Sequence, residues 1–290
     1  MITSSGNTAV PAKHFARTRR AITQPFRAFL STTGQWAVFV GQTIYFLPLT
    51  IRKYRRQTLE QMNGLAWGRG SIIVDGGVVS VLLILGVAVG ASLAVEAFSV
   101  LNIIGFSALS GIVSGVGAVR VIGPLVGGIA FAVQTGCRMT AEIGSMRIAD
   151  EIDAVETMGL RPVPYVVGTR LVGGLLSIIP GYLITLVTTF LVMDTVIRVF
   201  HGVPGGTYNH YFVQFLTPQD LLYSVVKVAV YCIAVTLIHC YYGYFVTGGP
   251  VGVGLASGRA VRASLVVIMI LDFVTTVSLW GLQPVFVFKG

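Results

Sequence analysis

Long apolar runs alternate along this chain with short polar segments that are mostly basic. Residues 71–95, 165–193, 221–246 and 263–284 are each apolar over more than the about 20 positions a helix needs to cross hydrocarbon about 30 Å thick. A fifth run, residues 103–144, is too long for one ordinary span and carries Arg120, Gly123 and Pro124 midway. It predicts an outer half-helix followed by a span from about Val121 to Ala141. The pattern therefore predicts an all-α integral membrane protein with about five transmembrane helices.

The segments between the runs carry the topology. Residues 1–24 are polar and basic without apolar period and read as a disordered cytoplasmic tail. Residues 25–50 contain Gln35 and Gln42 and are flanked by positive charge at both ends, so they predict an interfacial or re-entrant N-terminal helix with Trp36 and Tyr45 at headgroup level. A basic linker follows to residue 64, and residues 65–290 form the membrane domain. With the N-terminus inside and the C-terminus outside, residues 145–163 and 247–262 are expected on the cytoplasmic side and residues 194–220 in a long outer loop. Ser107, Gly111 and Gly115 repeat every four residues, a spacing that admits close helix approach and suits a dimer contact.

Composition agrees with a bilayer as solvent. Of 290 residues 54% are hydrophobic and 11% charged, against about 25% charged in soluble domains, and mean hydropathy is +0.81. The net charge of +9 could suggest nucleic acid. The basic residues instead gather at the tail, the linker and the inner loops, as the positive-inside rule requires, and no nucleic-acid partner is expected. Cys137, Cys232 and Cys240 lie in apolar runs without metal or disulfide spacing, and the four histidines make no metal pair. No phosphate-loop, His-Glu-x-x-His or Gly-x-Ser-x-Gly motif occurs. The chain is read as non-enzymatic and as binding no cofactor, with any ATP and Mg on another subunit.

Two groups of charges stand out. Asp150, Glu151, Asp153 and Glu156 fall within seven positions, with Ile148, Ile152 and Val155 on the opposite side of a short amphipathic helix. Gly159 is placed to end it, and Pro162 and Pro164 bar its continuation. Lys227 and Asp272 are intramembrane charges, expected to pair between the last two spans because isolated charge there is costly. Glu142 is expected to pair with Arg138 one turn away.

The run from Ala141 to Gly159, Ala-Glu-Ile-Gly-Ser-Met-Arg-Ile-Ala-Asp-Glu-Ile-Asp-Ala-Val-Glu-Thr-Met-Gly, resembles the signature loop of the MlaE/YrbE permeases, which serve MCE-type lipid transporters. The resemblance extends through Arg120 to Pro124, Gly243-Tyr244, Gly252 to Arg259 and Leu271-Asp272-Phe273, covering about residues 65–284, and is most similar to the actinobacterial YrbE permeases, in particular the B-type member. It implies that Ile148 to Met158 is a coupling helix docking on a cytoplasmic ABC ATPase, with Ile152 and Val155 as anchors. It also implies a second YrbE-like permease as partner, MCE proteins forming a lipid tunnel above, and import of a lipid: fatty or mycolic acid, sterol or phospholipid. Relatives often show Arg-Glu where this chain has Arg120-Val121, which removes an acidic group near the expected lipid entrance. The lipid path is expected to be apolar and to involve Leu82, Leu83, Val87 and Val89 of the first span, with Arg120 nearby. The competing readings are a membrane-embedded lipid-modifying enzyme and an assembly scaffold.

Overall fold

The computed structural model describes residues 33–68 and 76–281. The chain divides into two units, Met1–Tyr45 and Phe46–Gly290. Of the first, residues 33–45 form a helix, α1, in which the buried Thr43 donates its hydroxyl to the Phe39 carbonyl. The tail expected over residues 1–24 lies outside the described residues.

The second unit is helical throughout its described residues. Two short helices, α2 (Leu47–Lys53) and α3 (Arg55–Trp67), precede five long apolar ones: α4 (Val78–Ile103), α5 (Ser110–Ile148), α7 (Pro164–Phe200), α9 (Pro218–Tyr244) and α10 (Gly249–Trp280). Between them lie α6 (Glu151–Thr157) and α8 (Gly205–Phe215). Each of the five is long and apolar enough to cross a bilayer.

Several boundaries differ from those the pattern predicts. The run 103–144 is not a half-helix plus a span: α5 continues unbroken through Arg120, Gly123 and Pro124. Its backbone widens to π-helical bonding over Val113–Ile122, with Gly123 N–H returning to the Ala118 carbonyl five residues back. That wider coil carries the helix past a proline, which otherwise removes a donor and crowds the preceding turn. The first span is displaced to Val78–Ile103 rather than 71–95, so Glu96 falls inside it. Residues 247–262, expected as a loop, are mostly the start of α10: Gly248 (φ 91°) and Gly249 (φ 68°) make the turn, and Pro250 opens the helix. Residues 194–220 hold the end of α7 and all of α8 instead of an extended loop.

Helix packing rests on small residues. α4 lies against α7 through Gly86 and Gly90, where the Thr189 hydroxyl donates to the Gly86 carbonyl at 3.2 Å. The Ser107, Gly111, Gly115 spacing is used inside the chain. A Cβ on Gly111 would sit 2.6 Å from the Tyr208 carbonyl oxygen of α8, so the close approach expected of a dimer contact is already occupied by an internal helix. Around it Ala94, Ala118, Met193, Ile197 and Tyr208 form one buried cluster joining α4, α5, α7 and α8.

Candidate functional site

The first site is the turn between α5 and α7. α5 ends at Ile148, and Asp150 adopts the left-handed conformation (φ 54°, ψ 18°), reversing the chain into α6. α6 ends on Gly159 (φ 77°), whose N–H bonds the Glu156 carbonyl at 2.9 Å while Leu160 N–H bonds the Val155 carbonyl at 3.2 Å. This pair of bonds is the Schellman stop, which favours glycine at that position. The helix is thus Glu151–Thr157, shorter than the expected Ile148 to Met158.

Ile152 is 1% exposed and Val155 7%, so both are buried within this chain. This corrects their expected role as anchors in a partner: the apolar side of α6 is consumed in pinning the helix to its own protein. Ile148 and Met158 remain exposed beside it. Arg147 Nη1 donates to Asp153 Oδ1 at 2.6 Å and staples the turn. Asp150, Glu151 and Glu156 are exposed, and their side chains have no hydrogen-bond or ion-pair partner among the described residues. Below this hairpin Glu142 accepts from Arg138 at 2.9 Å and from the buried Arg170 at 3.3 Å, tying α5 to α7 where the two helices leave the turn.

The second site is a polar network between α5, α9 and α10. Pro124 has no N–H to offer the Arg120 carbonyl four residues back, and Lys227 Nζ, fully buried, donates to that oxygen at 2.9 Å. The lysine also lies 2.8 Å from Asp272 Oδ1 and 2.9 Å from the Thr276 hydroxyl, and Tyr231 donates its hydroxyl to Asp272 at 2.7 Å. About two turns before Lys227 on α9, Asp220 makes a two-point contact with Arg120, 3.0 Å from Nε and 3.4 Å from Nη2. Asp220 further accepts from Trp280 Nε1 at 2.6 Å and closes a capping box with Thr217 at the start of α9. Arg120 and Lys227 also lie 5.6 and 5.5 Å from the centre of the Trp280 ring. Two cations and two carboxylates therefore balance inside the helix bundle.

Asp220, Tyr231, Thr276 and Trp280 belong to this network and were not among the residues expected from the sequence. The signal was present: Asp272, Thr276 and Trp280 recur every fourth residue, and Asp220, Lys227 and Tyr231 share one face of α9. Asp220 was hidden because the predicted outer loop extended over it.

The expected path residues separate. Leu82 is fully buried against α7, with its Cδ1 3.3 Å from where a Gly181 Cβ would stand, so it is core and not path. Leu83 lines a small cavity near Gly76 and Trp67, and Val87 is exposed. Val89 lines a groove of about 360 Å³ between α4 and α5, and with Leu85 and Val126 it also borders a narrow gap of about 10 Å³ beside Leu93, Ile122 and Thr189. Among the described residues no cluster of three or more metal-ligating side chains occurs. His239 is a buried joint, its Nδ1 2.8 Å from the Thr140 hydroxyl and its Nε2 3.3 Å from that of Ser264.

With these features in place, comparison with known proteins is decisive. The family described as Permease MlaE matches residues 71–278, most of the chain and both sites apart from Trp280. The chain belongs to the MlaE permease family. Among its relatives, the intermembrane phospholipid transport system permease protein MlaE of Haemophilus influenzae is 29% identical over 211 residues, 71% of this chain and 80% of that one. A probable ABC transporter permease protein of Synechocystis is 26% identical over 252 residues, 82% and 87% of the two chains. A probable ABC transporter permease protein of Rickettsia conorii is 31% identical over 166 residues, 54% of this chain. The match spans about three fifths of the length of that Rickettsia protein, 61%. The MlaE match begins before α4 and ends two residues short of Trp280.

Proposed function

We propose that this chain is the membrane subunit of an ABC-type transporter that moves lipid across the cell envelope, in the import direction. A separate ATPase, binding ATP and Mg, drives it by docking on α6. The observation that carries this reading is the pinned helix with three unpartnered acids: α6 buries Ile152 and Val155 within its own chain and presents the side chains of Asp150, Glu151 and Glu156 outward. A surface so built transmits a push from a partner into α5 and α7, and its charge selects a basic groove.

The same reading puts α6, Arg138, Arg147, Arg161 and Arg170 on the cytoplasmic side and α8 outside, in agreement with the positive-inside rule. It further assigns a second permease of the same type as partner and MCE proteins as an outer tunnel, with the chain as a YrbE permease of the actinobacterial B type. The Haemophilus relative, a permease of intermembrane phospholipid transport by name, supports a phospholipid-like cargo.

Purification of the tagged full chain from its native membrane tests the central partnership. An ATP-hydrolysing subunit is expected to copurify, and to be lost with Glu151→Lys plus Glu156→Lys while the chain remains inserted. Retention of that subunit by the doubly reversed variant, or lipid turnover by the chain alone, contradicts the proposal.

A further inference from the structure

The elbow formed by α2 and α3 has one side sunk into its own protein and one side free. Thr50, Tyr54 and Thr58 recur every fourth residue and are all buried. Their side packs on the start of α7. The Thr50 hydroxyl donates to the Pro164 carbonyl at 3.1 Å, and Tyr54 meets the Tyr165 ring edge-on with centroids 5.4 Å apart. A Cβ on Gly168 would stand 2.4 Å from Thr50 Oγ1, so the contact is close. Arg161 adds its guanidinium 4.5 Å from the centre of the Phe46 ring. Pro164 comes only five residues after Gly159, the stop of α6. The elbow is therefore clamped to the segment through which the α6 turn enters α7.

The free side carries Arg52, Lys53, Arg55 and Arg56, all exposed. Ile51, Leu59 and Trp67 are exposed among them. The one carboxylate of α2 and α3, Glu60, is taken by Arg56 at 3.1 Å. Arg52, Lys53 and Arg55 have no acidic partner among the described residues. Cations interleaved with exposed apolar and aromatic side chains suit the boundary between headgroups and acyl chains. There the apolar groups enter the hydrocarbon and the cations meet phosphate. A zwitterionic surface leaves the three cations uncompensated, whereas an anionic one matches them.

We propose that α2 and α3 bind anionic phospholipid of the leaflet they lie against, and that this contact regulates the α6 turn through Thr50 and Tyr54. The lipid acts here as a regulator at the bilayer surface and not as cargo. The regulatory half rests on the ABC-transport reading above; the lipid contact rests on the elbow alone.

The test uses the full chain with its copurifying subunits in phosphatidylcholine nanodiscs. Association of spin-labelled phosphatidylglycerol is measured against spin-labelled phosphatidylcholine, and ATP hydrolysis is followed as phosphatidylglycerol is added. Wild type is expected to prefer phosphatidylglycerol about threefold or more, to lose most of that preference in about 0.5 M salt, and to hydrolyse ATP faster as the anionic lipid rises. The triple variant R52Q, K53Q and R55Q changes only exposed positions and should lose both the preference and the stimulation. T50V should keep the preference and lose the stimulation. Equal association of the two lipids with wild type, or a preference unchanged in the triple variant, overturns the lipid contact. Release of phosphatidylglycerol by millimolar inorganic phosphate also overturns it, assigning the cations to a small anion. Loss of the ATPase from the triple variant with lipid preference intact assigns them to a protein contact and overturns it too. Full stimulation in T50V overturns the regulatory half. Failure of any ATPase to copurify sinks the transport reading and the regulation with it, while the measured lipid preference still decides the contact.

Discussion

Two regions of this protein concentrate charge, and they treat it in opposite ways. Between α5, α9 and α10 every ionised group is matched: Lys227 with Asp272, Arg120 with Asp220, and the remaining acceptors with Tyr231, Thr217 and Trp280. On α6 only Asp153 is matched, and Asp150, Glu151 and Glu156 face outward without partners. Matched charge in a low-dielectric interior fixes helices in register. Unmatched charge on a helix whose own position is fixed is free to meet another molecule. Charge thus serves architecture in the first region, and in the second it is the feature on which the proposed docking of an ATPase rests.

Removing one half of a matched pair should break the contrast most strongly. Lys227→Met takes the ammonium away from Asp272 and leaves the Arg120 carbonyl without its lysine donor, and the expected loss is about 3–5 kcal/mol, read as a lower melting temperature in detergent. The double reversal Lys227→Asp with Asp272→Lys should recover only part of it, because a carboxylate at 227 cannot donate to the Arg120 carbonyl. Full recovery would show that pairing alone matters. Ile152→Ala should cost about 2–5 kcal/mol locally and free α6, seen as faster amide exchange over residues 151–157. Gly159→Ala places a Cβ in the left-handed region, costs about 1–2 kcal/mol and should loosen the end of α6 by the same readout. Glu156→Lys changes an exposed position and should move stability by no more than about 0.5 kcal/mol, while weakening retention of the ATPase.

Much of the fold was legible because bilayer-spanning helices are written in apolar run length. The five long helices fall where apolar runs occur, and the turn at Gly159 was visible from a glycine followed by Pro162 and Pro164. What escaped was local backbone geometry. Pro124 reads as a break, yet π-helical bonding carries α5 past it. The start of α10 reads as a loop because glycines and Arg259 and Arg262 lower its hydropathy without stopping a helix. The pairing of Lys227 with Asp272 could be anticipated from two isolated charges in adjacent spans. The partner of Arg120 could not, since Asp220 lies a hundred residues away at a helix start. The burial of Ile152 and Val155 was also hidden: an amphipathic period tells that one side of a helix is covered, and not whether its own chain or another covers it.

The account stands on α6 passing work from an ATPase to the spans. ATP-driven lipid movement by the reconstituted complex, measured in proteoliposomes for wild type and for Glu151→Lys plus Glu156→Lys, tests it most directly. The account predicts that movement in the variant falls to the rate seen without ATP while the melting temperature of the chain is unchanged. Movement at the wild-type rate in a variant carrying both reversed charges would contradict it.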